Sequence, residues 1–330
     1  MNVVLIFRAK DLNYFSIERV FNTIKASITA FASVECIYVP NPGFNPGNLV
    51  YLKRSLKSRD KKAIYHVTGD IHYTVFALPR KRCLLTVHDC VFLTRGSSLK
   101  KWVIKKLYLD WPVRYVPLVT AISEKTRLEI IAKTGCNPSK VRVVNNPVSS
   151  EIQFVDKPFN EARPVLLFIG STPNKNLDRV IEAINGLSCL LNIIGSINKD
   201  QVEKLNADSI QYIQETSLSD KEMAERYINA DIILFPSVYE GFGLPVIEGF
   251  KAGRPVLTSA ISPMLELSGG AAWTVDPFNH QAICSGINEI IGNKKEREKK
   301  VKMGLKIAEE YTPEIVAGKY HEIYKELIIK

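Results

Sequence analysis

The sequence predicts an α/β protein built on two doubly wound parallel sheets, and three observations carry that prediction. Short apolar runs alternate with amphipathic stretches along the 330 residues. The runs are apolar on successive positions, as strands covered on both faces require. They also fall into two series of six, and a chain of this length carries a soft prior of two domains. The first series is 3–7, 34–39, 63–67, 84–87, 118–121 and 141–144. The second is 165–169, 190–194, 210–213, 232–235, 255–257 and 272–275. Helical stretches between them include 17–31, 125–133, 177–185, 220–229 and 282–291, and a last helix is predicted from Pro313. Strands alternating with helices give parallel sheets, hence two Rossmann-like domains, 1–158 and 159–330. Segment 145–164, rich in Pro, Asn and Ser, reads as the linker.

Composition excludes several classes. With 46% hydrophobic and 24% charged residues the chain is ordinary for a soluble globular protein. No apolar run approaches the roughly 18 residues of a membrane-spanning helix. The apolar start meets Arg8 and Lys10 too soon for a signal-peptide core, so it reads as a first strand. Cysteines 36, 83, 90, 136, 189 and 284 are scattered, with no Cys-x-x-Cys pair. That pattern argues against a disulfide framework or zinc site and for isolated buried thiols in a reduced, cytoplasmic compartment.

The net charge of +10 is localised. Between 49 and 110, fourteen basic residues (53, 54, 57, 59, 61, 62, 80, 81, 82, 95, 100, 101, 105 and 106) face four acids. This accounts for the whole excess and points to a polyanion: nucleic acid, anionic lipid headgroups or a phosphorylated substrate. The run 99–112 mixes lysines with Trp102, Ile104, Leu107 and Trp111. Lys101 and Lys105 share a helical face, whereas Lys100 and Lys106 fall among apolar positions. An anionic membrane surface is the expected partner, at about 1 kcal/mol per basic residue. Aromatics interleave with the lysines, but no recognisable nucleic-acid module is present, so no specific nucleic acid is expected.

In open α/β sheets ligands bind beyond the carboxyl ends of the strands. There the segment from Asp231 to Glu248 is the most informative. A strand ends at Pro236, a loop carries Glu240, and Gly241 and Gly243 let the backbone approach a ligand closely. Pro245 suits a first helical residue, and Glu248 is placed in the first helical turn. Free N–H groups at a helix start suit a phosphate, and two carboxylates suit hydroxyls, so a sugar bearing a phosphate matches the chemistry.

This segment resembles the donor-site motif of the retaining glycosyltransferases of family four (group 1 type): Glu, seven residues, Glu, filled by GFGLPVI. The resemblance extends to TVHDC (86–90), AISEKTRLEI (121–130), NNPV (145–148), FIGSTPNKNLDRVIEAI (168–184), SLSDKEMAERYINADIILFPS (217–237) and KAGRPVLTS (251–259). It implies the glycosyltransferase B fold, two facing Rossmann-like domains with an inter-domain cleft, the last helix crossing back to the N-terminal domain. It also implies a UDP- or GDP-sugar donor held by the C-terminal domain, transfer with retained configuration, and no divalent metal or other cofactor.

Residue by residue, the resemblance assigns Glu240 to the hydroxyls of the transferred sugar and Glu248 to the ribose. Backbone amides at Gly241, Phe242, Gly243 and Leu244 would hold sugar and diphosphate. Lys175, next to Asn176 at a helix start, would neutralise the departing diphosphate. His88 would face the donor sugar, and Thr216 and Leu218, with Glu215 and Ser217, would flank the nucleobase.

Two departures stand out. Family members commonly carry an arginine where this chain has Asn174 or Gly170, leaving Lys175 alone or helped by Arg8 or Arg179. The paired glycines after the first strand are replaced by RAKDLNYFS (8–16). The expected activity is hexose transfer to a lipid-linked or saccharide acceptor in cell-surface polysaccharide, O-antigen or glycolipid synthesis, at the inner face of the membrane. A nucleotide-sugar epimerase or phosphorylase on the same fold, and a non-enzymatic basic nucleotide- or nucleic-acid-binding protein, are the alternatives.

Overall fold

The computed structural model describes residues 1–10, 16–57, 59–60, 62–93 and 98–329. Lys61 and Arg95 of the basic segment, and positions 11–15 of the loop after the first strand, lie outside the described residues. The chain divides into two compact units, Met1–Pro147 with Pro313–Lys330, and Val148–Thr312. The first break thus precedes the expected 158/159.

All twelve expected strands form. The first unit holds β1 (Asn2–Phe7), β2 (Ser33–Tyr38), β3 (Ile64–Val67), β4 (Cys83–Val87), β5 (Leu118–Ala121) and β6 (Val141–Val143). The second holds β7 (Val165–Ile169), β8 (Leu190–Ile194), β9 (Tyr212–Glu215), β10 (Ile232–Phe235), β11 (Val256–Ser259) and β12 (Trp273–Val275). Both sheets are wholly parallel, ordered β2-β1-β3-β4-β5-β6 and β12-β11-β10-β7-β8-β9. Each is therefore a doubly wound, Rossmann-like sheet. Central strands such as β3 and β10 are buried at every position, which is why they read as unbroken apolar runs. At the edge, β9 starts two residues later than its apolar run suggests. Its register against β8 pairs Leu191 with Tyr212, and Ile213 is left half in water.

The helices are α1 (Ser16–Thr29), α2 (Pro46–Ser55), α3 (Ser98–Lys105), α4 (Trp111–Tyr115) and α5 (Glu124–Thr134) in the first unit. The second carries α6 (Leu177–Ile184), α7 (Lys199–Ala207), α8 (Asp220–Asn229), α9 (Leu244–Lys251), α10 (Met264–Ser268), α11 (His280–Gly292) and α12 (Lys294–Ala308). The last helix, α13 (Pro313–Ile329), returns to the first unit and packs on α1. A buried polar chain secures it: His66 Nδ1 meets the Tyr324 hydroxyl at 2.8 Å, Nε2 meets Thr86 Oγ1 at 2.7 Å, and Thr86 meets Thr120 at 2.6 Å.

Three expectations need correction. Most of segment 145–164 is a strap fastened to the second unit, not a free linker. Asp231, nearly fully buried, accepts from Lys157 Nζ at 2.6 Å and from the Asn160 and Val165 amides, so a buried carboxylate pins the strap. The stretch 99–112 is not one regular helix. A π turn over Lys106–Asp110 joins α3 to α4 and rotates the register, which explains its imperfect helical pattern. All six cysteines are free thiols, but Cys36, Cys136 and Cys284 are only half-buried.

Candidate functional site

In the second sheet the strand order reverses between β7 and β10, and loops leaving these two strands flank the switch point. The loop after β7 makes a 3-10 turn, Pro173–Lys175. Lys175 Nζ lies 2.7 Å from Glu240 Oε1, on the loop after β10, and 4.8 Å from the Phe235 ring centroid. The structure therefore brings together the two residues on which the chemistry was expected to turn. A primary ammonium has three donors. The Glu240 contact uses one.

Asn174, where the resemblance leads to the expectation of an arginine, instead braces Glu240. Its Nδ2 donates to the Tyr239 carbonyl at 2.9 Å and to Glu240 Oε1 at 3.3 Å. Gly170, the other such position, has φ +122, and a Cβ there would stand 2.5 Å from Lys175 Cγ. The missing arginine is therefore sterically linked to the lysine that remains, because any side chain at 170 would displace the Lys175 stem. Asn176, in the left-handed region at φ 75, is buried. It gives its amide hydrogens to the carbonyls of Pro236 (3.0 Å) and Pro277 (2.6 Å). It ties three loops together and so positions Lys175.

The cap of α9 is Gly243, at φ +104, which a β-carbon would crowd against Met264 Cγ at 3.3 Å. The helix begins at Leu244, so Pro245 is its second residue and Glu248 its fifth, beyond the first turn. This corrects the expected placement: the left-handed glycine, not the proline, sets the helix start. The backbone N–H groups of Phe242, Gly243 and Leu244 have no acceptor among the described residues, as the first amides of a helix require. Phe242 is buried against Tyr311, ring centroids 5.8 Å apart, which fixes the loop. Gly241 is half-buried beside it.

Glu248 is 6% exposed and accepts the hydroxyl of Tyr227, a fully buried residue of α8. Sequence reasoning did not single out Tyr227. The available signal was a tyrosine on the apolar face of a capped helix just before β10. Thr216 is exposed and Leu218 half-buried after β9, where Ser217 takes φ 58. Beside them Arg226 grips Glu215 through two bonds of 2.6 and 2.7 Å, which holds that carboxyl below its usual range. β9 lies three strands from β10, or roughly 14 Å at strand spacing.

His88 belongs to the first unit, beyond the end of β4. Its Nε2 lies 2.8 Å from the Thr68 carbonyl, so that nitrogen carries the proton and donates. Desolvation lowers its pKa, opposed by this hydrogen bond and by Asp70 and Asp89, so the ring is neutral at pH 7. Gly69, at φ +143, admits the ring: a Cβ there would stand 2.6 Å from His88 Cδ2. His88 lines a cavity of about 180 Å³ with Asp70, His72, Asp89 and Tyr108. Arg8, at the switch point of this sheet, is held by both Glu18 oxygens at 2.9 and 3.0 Å and by Asp70. These carboxylates engage it within its own unit, which counts against it as the replacement cation. Arg179 belongs to the second unit, its Nη1 2.8 Å from Asn176 Oδ1.

Known families match both parts of the chain. Residues 149–306 match the family described as Glycosyl transferases group 1, and residues 3–152 match Glycosyltransferase Family 4. The chain belongs to the glycosyltransferases of family four. It is 24% identical over 294 residues to O-antigen chain mannosyltransferase B of Escherichia coli, covering 80% of this chain and 74% of that one. To O-antigen chain mannosyltransferase RfbU of Salmonella typhimurium it is 25% identical, covering 66% and 63%. Among solved structures, Alr3699/HepE of Anabaena, seen with UDP and glucose, superposes with a TM-score of 0.79 at 14% identity. That match covers 99% of this chain and 100% of the other, and it shows the shared B fold. This glycosyltransferase thus carries its motif residues on two Rossmann-like units. Among the described residues no helix is long and apolar enough to cross a membrane.

Proposed function

We propose that this glycosyltransferase moves a hexose from a UDP- or GDP-sugar to a lipid-linked or saccharide acceptor in cell-surface polysaccharide synthesis, with retained configuration and without a divalent metal. The observation that carries the reading is the Lys175–Glu240 pair at the switch point, beside the open amides of α9. The two O-antigen mannosyltransferases among its relatives favour mannose as the hexose. In this reading the bond from the anomeric carbon to the diphosphate breaks, and its electron pair leaves with the diphosphate. Lys175 and the amides of Phe242, Gly243 and Leu244 stabilise that charge as it develops. The acceptor oxygen bonds to the same face, and its proton passes to the leaving phosphate. Glu240 holds sugar hydroxyls, and Glu248, steadied by Tyr227, accepts from the ribose. The nucleobase lies toward Thr216 and Leu218, and His88 is the first unit's contribution to the sugar.

The test is thermal stability against UDP, GDP, UDP-glucose and GDP-mannose, with and without magnesium. A ligand at 100 times its dissociation constant adds about 2.7 kcal/mol, which should be abolished in Glu248→Ala. No shift from any nucleotide would sink the donor assignment, and a shift seen only with magnesium would sink metal independence.

The basic region of the first unit supports a membrane-surface reading. Lys105 and Lys106 share the buried Asp110, at 3.1 and 2.8 Å, which offsets one of their two charges. Lys53, Arg54, Lys57, Lys62, Lys81 and Lys100 are exposed and unpaired among the described residues. Leu99, Trp102, Val103 and Trp111 also face water, Leu99 at 73% and Trp102 at 57% exposure. Lysines around exposed tryptophans suit anionic headgroups. Flotation with anionic liposomes should recover the protein at low salt, and much less of Trp102→Ser with Lys100→Gln. Equal recovery with neutral liposomes would overturn the reading.

A further inference from the structure

A cavity of about 570 Å³ lies at the opposite edge of the second sheet, where β10 and β11 begin. It is walled by the strap 154–161, by α12 and by the turn at Gly253 and Arg254. The donor loops leave the other ends of these strands, so this cavity is separate from the site described above.

Most of its charges are matched. Lys157 pairs with Asp231 at 2.6 Å, Arg297 with Glu161 at 2.8 Å, and Lys294 approaches Glu298 at 4.0 Å. Arg254 and Lys302 remain, against Asp156, which is exposed to water. Lys302 is also exposed, but Arg254 is 5% exposed. Its Nη2 donates to the Val155 carbonyl at 2.6 Å, and its buried Nε has no acceptor. Among the described residues no carboxylate comes within ion-pair distance of it. Desolvation lowers its pKa despite the attraction of Asp231 and Asp156, which marks a charge buried without full compensation.

A buried cation with unfilled donors is costly, and a planar guanidinium fork matches an oxyanion. Five cations and four carboxylates line the cavity, so it is net positive, and a dianion gains more from that potential than a single carboxylate. Phe154 and Phe159 give the cavity an apolar wall, and its volume is that of a small-molecule pocket.

We propose that this cavity is a second ligand site of the enzyme, taking a phosphomonoester on a planar or apolar body through Arg254, with Lys302 at the rim. It goes beyond the transfer reaction and does not depend on it. The experiment is calorimetric titration of the full chain with phenyl phosphate, with benzoate as the carboxylate counterpart. Phenyl phosphate should bind the wild type and Glu248→Ala equally, at least fivefold more weakly to Lys302→Gln, and not at all to Arg254→Met. Benzoate should bind more weakly than phenyl phosphate. The exposed Lys302 can be replaced without disturbing the strap, so Lys302→Gln decides the matter if Arg254→Met does not fold. No heat up to about 10 mM phenyl phosphate would overturn the proposal. So would unchanged affinity in Lys302→Gln, stronger binding of benzoate, or loss of binding in Glu248→Ala, which would place the ligand in the donor site.

Discussion

Lys175→Ala is expected to lower kcat/KM for donor turnover by about 10²–10³-fold, the usual effect of removing one preorganised charge-stabilising donor. The loss should fall mainly on kcat. The diphosphate gains its extra charge only as the glycosidic bond breaks, and interactions stronger in the transition state than in the ground state act on kcat. With Asn174 and Gly170 in the arginine positions, no second cation is held on that loop to share the role. Lys175→Arg should recover little. The stem of residue 175 lies over Gly170, and a longer side chain ending in a planar guanidinium would have to leave that path, moving its charge away from where the ammonium sits. The measurement is release of nucleoside diphosphate from whichever donor gives the thermal shift. A loss below fivefold in Lys175→Ala would show that diphosphate charge is met elsewhere, with Arg179 the next residue to replace.

The second large effect concerns pH. Burial pushes the His66 pKa down to about 3, with His88 nearby adding to the depression. Tyr320 and Tyr324 of α13 and Phe21 of α1 enclose the ring, and none brings a compensating charge. The folded state therefore binds fewer protons than the unfolded chain once pH falls below about 6.5. Stability present above that value is lost as pH drops toward 3. The His66 contribution amounts to about 2 kcal/mol by pH 5 and approaches about 5 kcal/mol at the acid limit. His72 and His88 are lowered too and add to the same trend. Comparing urea midpoints at pH 7 and pH 5 for wild type and His66→Gln isolates the one ring. The variant should be weaker at pH 7 yet lose less on acidification, and parallel losses in the two proteins would refute the assignment.

Much of this was legible in the sequence because buried parallel strands leave an unmistakable trace. The apolar runs alone bound β5, β7, β8 and β10 to the residue, Glu240 stands out by its place after β10, and Lys175 is legible only through the family resemblance. What escaped notice depends on three-dimensional neighbours. The second-turn position of Glu248 follows from the left-handed Gly243 at the start of α9, where Met264 leaves little room for a β-carbon. Tyr227 looks like any core tyrosine until Glu248 is brought to its hydroxyl. The strap at 148–164 has linker composition because its attachment is made by backbone amides and by Lys157 on Asp231, neither of which alters hydrophobic periodicity. The π turn at 106–110 similarly has no sequence period of its own.

The placement of α13 has a consequence for how the protein is made. The second unit is contiguous in sequence, and all of its residues are synthesised before α13. The first unit lacks its last helix until then, and His66 waits with its Nδ1 side open for Tyr324. Domains usually fold in the order of their emergence. Here the later segment can finish first, while the earlier one stays incomplete with Phe21, Leu84 and Leu118 uncovered by Tyr320, Tyr324 and Leu327. The first unit's most aggregation-prone interval is therefore the one before α13 is made, and a product truncated ahead of Pro313 would expose an apolar face on an otherwise folded sheet.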